Sequence, residues 1–323
     1  MIKGAILLEH GAGGRLMNEL IQNSIVPAFK NEYLEQMGDS AVFEIGSERL
    51  CFTTDSYTVD PVFFPGGDIG SLSIHGTVND ISVCGGRPLF IGAGIILEEG
   101  FPLESLERII SSMARAASAC GVIVATGDTK VVPRGKADGI YINTSGIGVV
   151  EYPGTIAASS IRKGDAVIVS GTIGDHGAAI LSTRSELGLS NQLRSDSAPV
   201  NDLVQAVMKA SSGIRFMRDP TRGGLGAVLV EAANASGLTF DVDETTIPVK
   251  EEVRALCEIV GLDPLFLACE GRVLVVCEPQ DTEKVVSVMR THLLGRDAAI
   301  IGRVCAGKRP GVTMRTSTGG YRA

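Results

Sequence analysis

Apolar positions recur along this chain with two periods. Leu16, Met17, Leu20 and Ile21 share one face of a helix that follows a glycine turn at 11–14. Leu103, Leu106, Ile109, Ile110 and Met113 repeat that spacing, as do Val228, Leu229 and Ala232 after Gly223-Gly224. Further helices are expected at about 68–83 (opened by Gly66-Gly67), 178–187, 251–260 and 283–291. Short apolar runs read as strands at 49–54 (ending at Asp55), 91–97, 122–125 (ending in Gly127-Asp128), 140–149, 166–169, 238–242, 273–277 and 298–304. The polar stretch 191–197 reads as an exposed loop, and Tyr152-Pro153-Gly154 interrupts the pattern. Interleaved strands and helices on both sides of that break predict an α/β (α+β) protein in two halves, 1–153 and 154–310. Residues 311–323 read as the start of a C-terminal tail.

The length of 323 residues agrees with two domains. A net charge of −8 argues against nucleic-acid or acidic-membrane binding. Phosphate remains a candidate ligand, because backbone N–H groups and Mg²⁺ serve it without a basic surface. Seven cysteines without a Cys-x-x-Cys pair suggest neither zinc nor a disulfide framework. The first residues carry too short an apolar run for a signal peptide, and no run approaches the ~18 residues of a membrane span. A cytoplasmic setting fits.

The candidate chemistry begins with aspartates. Asp39, Asp55, Asp80 and Asp128 each abut Gly, Ser, Thr or Asn near an expected element boundary. Folding can gather such carboxylates around Mg²⁺–polyphosphate, which needs only one or two of them per ion. Singly, each is equally readable as a turn or helix cap. Four glycine-rich turns, at 11–14, 66–67, 174–177 and 223–224, precede helices whose free N–H groups suit an anion. None is a Walker A loop, and each alone reads as an ordinary turn. Lys130 follows the Asp128 motif, and Glu270 precedes an apolar strand; both are acid–base candidates. His75 and His176 are weaker candidates, and the thiols at 51, 84, 120 and 277 read as core packing.

These motifs stand in a recognisable order: HGAGGRLMNELI (10–21), FTTDSYTVDPVFFPGGDIG (52–70), IHGTVNDISVCGGRP (74–88), ATGDTKVVPRGKADGIYINTSGIG (125–148), VSGTIGDHG (169–177), RDPTRGGLGAV (218–228) and ACEG (268–271). The order resembles the PurM-like superfamily of aminoimidazole ribonucleotide synthetase, and within it the HypE family of hydrogenase maturation proteins. The resemblance implies a homodimer whose N-terminal halves form a central β-barrel with ATP at the interface, each with a C-terminal α/β domain. It implies an enzyme, an ATP-dependent carbamoyl dehydratase. Such an enzyme converts an S-carboxamide on its C-terminal cysteine to an S-cyano group, giving ADP and phosphate. The carbamoyl group comes from HypF. The cyano group passes through the HypC–HypD complex to the iron of nickel–iron hydrogenase.

Position by position, the resemblance makes Asp39, Asp55, Asp80 and Asp128 metal and phosphate carboxylates. It makes Gly11, Gly13 and Gly14 a phosphate-covering segment, and Asn79 and Thr129 polar residues of the nucleotide site. Lys130 and Glu270 become catalytic residues near the carboxamide. His176, Asp219 and Arg222 fall on second-half loops facing the cleft. One departure stands out. The family ends in Pro-Arg-Ile-Cys or a close variant, whereas this sequence ends Thr318-Gly319-Gly320-Tyr321-Arg322-Ala323, with Cys305 its last cysteine. The cysteine-bearing tail is expected outside this sequence. Two other readings stay open: a related small-molecule kinase or ribonucleotide synthetase, and a nucleotide-binding scaffold without turnover. Against a thiamine-phosphate kinase, Asp39 is followed by Ser40 where those enzymes tend to carry two adjacent aspartates. Against a selenophosphate synthetase, no cysteine precedes Cys51.

Overall fold

The computed structural model describes residues 5–184 and 193–322. A short helix, α1 (Arg15–Leu20), leads into the first sheet. Its strands are β1 (Ala41–Ile45), β2 (Glu48–Tyr57), β3 (Gly86–Glu98), β4 (Ile123–Val132) and β5 (Ile140–Val150), in the order β1-β2-β5-β3-β4. All neighbours are antiparallel except β3 and β4, which are parallel. A parallel pair needs a crossover, and α3 (Leu103–Cys120) supplies it. Between β2 and β3 runs α2 (Ile69–Val83), started by Asp68, whose carboxylate accepts from the Ser71 N–H at 2.9 Å. Such a cap is worth about 1 kcal/mol.

One face of this sheet is covered. Ile140, Ile142, Thr144, Gly146, Gly148 and Val150 of β5 are buried and alternate with more open positions, the period of a one-sided strand. Ile69, Leu72, Ile74 and Val78 of α2 and Ile109 and Met113 of α3 close over them. At Gly146 a methyl group would stand 2.6 Å from Ile81, so the helix lies directly on the backbone there. The other face is bare: Phe52, Phe90, Val124 and Ile96 are exposed, and β4 is exposed along nearly its whole length.

The second sheet contains β6 (Ala166–Val169), β7 (Ile214–Arg218), β8 (Thr239–Asp243), β9 (Leu274–Cys277), β10 (Ala299–Cys305), β11 (Gly311–Arg315) and β12 (Tyr321–Arg322). Their order is β12-β11-β8-β10-β6-β9-β7. At its centre, β6 and β9 are buried on both faces. Val167 and Val169 meet Leu225, Val228 and Leu229 of one helix, Gly224–Ser236. Ala166 and Ile168 meet Leu203, Val204 and Val207 of another, Asn201–Ala210, together with Val285 and Met289 of Thr282–Thr291. Two-sided burial explains why these strands read as unbroken apolar runs. No helix among the described residues is long and apolar enough to cross a membrane.

Several expectations change. Residues 311–322 do not start a free tail. β11 pairs in parallel with β8, and β12 closes on β11, because Val312 and Met314 have core to cover. Asp55 and Asp128 do not end strands. β2 continues to Tyr57 and β4 to Val132, since the ladder is backbone-made and an exposed polar side chain does not stop it. The helix expected at 178–187 starts earlier, at Asp175; its residues 185–187 lie outside the described residues. Helix Asn201–Ala210 and strands β1, β7 and β11 were not anticipated.

Candidate active site

A set of acidic side chains converges where the two sheets meet. Asp55 comes from β2, Asp80 from the last turn of α2, Asp39 from the loop before β1, Asp219 from just beyond β7, and Glu270 from the loop before β9. Thr53, on β2, donates its hydroxyl to Asp80 Oδ2 at 2.9 Å and lies 2.8 Å from the Asp39 carbonyl oxygen. Ser40 donates to the Asp80 carbonyl at 3.0 Å. Burial pushes the Asp80 carboxyl well above the usual carboxylate range, and the charges of Asp219, Asp39 and Asp55 push it further. Asp219 is pushed up to about 8, by burial first and then by Asp39. Glu270 is raised too, by burial and then by Asp219, Asp196 and Asp55, with Arg222 opposing. Crowded, desolvated carboxylates of this kind hold protons or attract a cation.

Two arginines balance part of that charge. Arg218 of β7 reaches Asp39 Oδ1 at 2.6 Å and Glu231 at 3.2 Å. Asp39 raises the proton affinity of Arg218, outweighing its burial. Arg222 pairs with Asp55 at 3.3 Å and remains half exposed. The N-terminal glycine segment docks on the same loop. A Cβ on Gly13 (φ +76°) would stand 2.6 Å from the Arg222 backbone, and one on Gly223 (φ +78°) 2.4 Å from the Gly13 oxygen. Both positions therefore need glycine for space and for φ. Gly11 and Gly14 have nothing within 4 Å.

Other candidates are placed elsewhere. Asp128, Thr129 and Lys130 stand exposed on β4, where Lys130 pairs with Asp128 at 2.8 Å. Ser56, Asn143, Gly94 and Asp128 form one row across the sheet, so Asp128 lies three strand spacings, about 14 Å, from β2. The acidic cleft of this chain thus lacks its fourth aspartate and its lysine, because β4 is the far edge strand. His176 does not join the cluster. Its Nδ1 meets the Ser195 hydroxyl at 2.8 Å, its ring stands edge-on to Phe64, and burial lowers its pKa to about 4. Asn79 spends most of its amide within the chain. It accepts from Val200 N at 2.8 Å and donates to the carbonyls of Ala198 and Glu270 at 3.1 and 3.3 Å.

The stretch at 191–197 departs from the expected exposed loop in its described part, 193–197. Leu193 is buried and the Asp196 side chain is 1% exposed. Arg218, Thr53 and Asp196 were missed because each matters through a partner distant in sequence; Arg218 and Asp39 are 179 positions apart. Among the described residues no three Asp, Glu, His or Cys side chains form a ready metal cage. That arrangement suits Mg²⁺, which takes one or two carboxylates plus phosphate oxygens. Asp80 and Asp55, whose pairing with half-exposed Arg222 is 3.3 Å long, could hold it more readily than Asp39, which buried Arg218 grips at 2.6 Å. A separate groove of about 590 Å³ lies against β8 and β10, but its Asp243 is already paired with Arg315. Cys269, beside Glu270, is fully buried, and burial pushes its thiol well above the usual range, so it packs rather than reacts.

Known proteins share this architecture. Residues 37–150 match the AIR synthase related protein N-terminal domain, and 162–315 match its C-terminal domain. The carbamoyl dehydratase HypE of Azotobacter vinelandii is 49% identical over 99% of this chain and 94% of its own. A crystal structure of a HypE–HypF complex superposes with a TM-score of 0.89 at 47% identity, over 94% of this chain and 98% of that one. One of the hydrogenase maturation protein HypE in complex with ATP gives 0.83 at 44% identity, over 98% and 96%. Two matched domains and this identity along nearly the whole length mean that the chain belongs to the HypE family of carbamoyl dehydratases, built on the two-domain AIR synthase related fold.

Proposed function

We propose that the acidic cleft binds Mg²⁺–ATP, and that its γ-phosphoryl group activates a cysteine-borne carboxamide for dehydration to an S-cyano group. The observation that carries this reading is the gathering of Asp55, Asp80, Asp219 and Glu270 beside Arg222; the raised proton affinities of Asp80, Asp219 and Glu270 express a demand for positive charge. Relatives named for this activity, and one seen with ATP, support it. Bound Mg²⁺, held by Asp55 and Asp80, would neutralise phosphate charge.

An amide oxygen leaves poorly. Transfer of the γ-phosphoryl to that oxygen, with one nitrogen proton released to solvent, gives an iminol phosphate and ADP. Glu270 then takes the remaining nitrogen proton, C≡N forms, and inorganic phosphate departs. Once ionised, a carboxylate with raised proton affinity is the stronger base for that step. Arg222 orients phosphate oxygens, and the docked Gly13 turn covers them.

Lys130 reaches this cleft only from a second copy. The bare sheet face and the open edge of β4 supply the surface for a homodimer, in which paired sheets close into a β-barrel. Asp128, Thr129 and Lys130 of one copy then complete the other's site. HypF supplies the carbamoyl group and HypC–HypD receives the cyano group, in the cytoplasm. The test is mass spectrometry of the chain extended by the family's Pro-Arg-Ile-Cys tail and carbamoylated on that cysteine. ATP is expected to remove one water from that cysteine's adduct, and Glu270→Gln to block the loss. An adduct that stays intact with ATP, or a Glu270→Gln chain that dehydrates normally, rejects the assignment.

A further inference from the structure

Residues 193–200 have no regular structure, yet they thread through the junction of the two domains. Ser195 N–H donates to the Pro65 carbonyl at 2.8 Å, and its hydroxyl meets His176. The Ser197 hydroxyl meets His75 Nδ1 at 3.1 Å, and Asn79 holds both Ala198 and Val200. The segment passes so close to Gly271 that a Cβ there would stand 1.9 Å from the Asp196 carbonyl oxygen.

At the centre of this segment is Asp196. Its carboxylate accepts from Glu270 N and Gly271 N, one oxygen each, both at 3.2 Å. Arg272 Nε lies 3.7 Å from Asp196 Oδ2. The same guanidinium donates to the Thr172 carbonyl at 2.8 Å and lies 3.4 Å from Asp175. Glu270 is gripped from the other side as well, since its carbonyl accepts from Ala198 N and Asn79 Nδ2, each at 3.3 Å. Both peptide groups of Glu270 are therefore fixed by residues from 193–200 and from α2. Burying a carboxylate costs several kcal/mol unless it is paired and hydrogen-bonded, and this one spends its bonds on the peptide groups flanking a single side chain in the cleft.

We infer that Asp196 is a positioning residue for dehydration: seated by Arg272, it holds the Glu270 backbone so that the Glu270 carboxylate stays directed at the reacting carboxamide. This rests on Glu270 being the base. A misplacement of about 1 Å at a reacting group costs up to about 100-fold in rate. The two-sided grip on Glu270 is the device that prevents it. The Asp80 carboxylate is held instead by the Thr53 hydroxyl of β2.

The test is single-turnover dehydration by the carbamoylated full chain, with ATP affinity measured on the same samples. Asp196→Asn keeps the volume and one acceptor, while Asp196→Ala keeps neither acceptor. The maximal rate is expected to fall about 10- to 100-fold in Asp196→Asn and further in Asp196→Ala, with ATP affinity held within about twofold. Asp196→Asn/Glu270→Gln is expected to be no slower than Glu270→Gln alone, because the two residues act through one group. Losses that multiply in the double variant, or ATP affinity falling in step with rate, overturn the positioning role in favour of a structural one. Glu270→Gln inactive beside a full-speed Asp196→Asn overturns only the role of Asp196. Glu270→Gln at full speed overturns the base assignment itself.

Discussion

Arg218→Met tests whether the cleft is held together by charge balance. Arg218 and Asp39 are 18% and 17% exposed at the side chain and 2.6 Å apart. Arg218 also holds Glu231 at 3.2 Å and donates to the Met37 carbonyl at 3.3 Å. Methionine fills much of the same space without charge, so it leaves Asp39 facing Asp80 and Asp219 with no counterion. Removing one partner of a buried ion pair costs about 3–5 kcal/mol. The residual exposure admits some solvent screening, which reduces the expectation to about 2–4 kcal/mol. Urea unfolding measures it. The second half of the cycle is Arg218→Met/Asp39→Asn, in which the stranded carboxylate is gone. It is expected to recover at least about 1 kcal/mol relative to Arg218→Met alone. A single variant within about 0.5 kcal/mol of the parent, or no recovery in the double, refutes the reasoning.

The raised proton affinities of Asp80, Asp219 and Glu270 set the sign of the pH dependence. The folded ligand-free chain holds protons that the unfolded chain releases above about pH 4, so its stability falls as pH rises toward about 8, where folded Asp219 gives up its proton. Thermal melts from about pH 6 to about pH 9 should show this fall, and Mg²⁺–ATP should stabilise more at the alkaline end, where fewer protons must be displaced. Gly13→Val places a branched side chain at positive φ against the Arg222 backbone, and should undock the N-terminal segment at a cost of about 1–3 kcal/mol, seen as faster proteolysis before residue 37 and a raised KM for ATP. Gly11→Ala, with open space around it, should leave both unchanged. Lys130→Ala and Glu270→Gln chains, each inactive alone, should regain about a quarter of parental activity when mixed, because half of the random dimers hold one intact site of two. No recovery on mixing places both residues in one chain's site.

Much of the fold was legible because burial writes itself into sequence. Strands β6 and β9, covered on both faces, read as unbroken apolar runs. Gly66-Gly67 marked the start of α2, which begins at Ile69. The acidic cluster was legible in part: the charges of Asp39, Asp55 and Asp219 all act on Asp80. What failed is instructive. Asp55 and Asp128 looked like strand ends because an exposed position on a one-sided sheet is polar whether or not the strand stops there. The distance between Asp128 and the other carboxylates depends on strand order, which local pattern does not encode. The described part of 191–197 looked like solvent-exposed loop because its residues are polar. Those polar groups instead satisfy buried backbone at Glu270 and Gly271. Helix Asn201–Ala210 carried Leu203, Val204 and Val207 at helical spacing, but a polar stretch before it masked the pattern.

The fate of one oxygen atom tests the mechanism most directly. The chain extended by the family's Pro-Arg-Ile-Cys tail, its cysteine carbamoylated with ¹⁸O in the carboxamide, is incubated with unlabelled ATP in unlabelled water. Transfer of the γ-phosphoryl to the amide oxygen predicts that the label leaves in inorganic phosphate, together with formation of the S-cyano group. Label recovered in water, with unlabelled phosphate, contradicts the account.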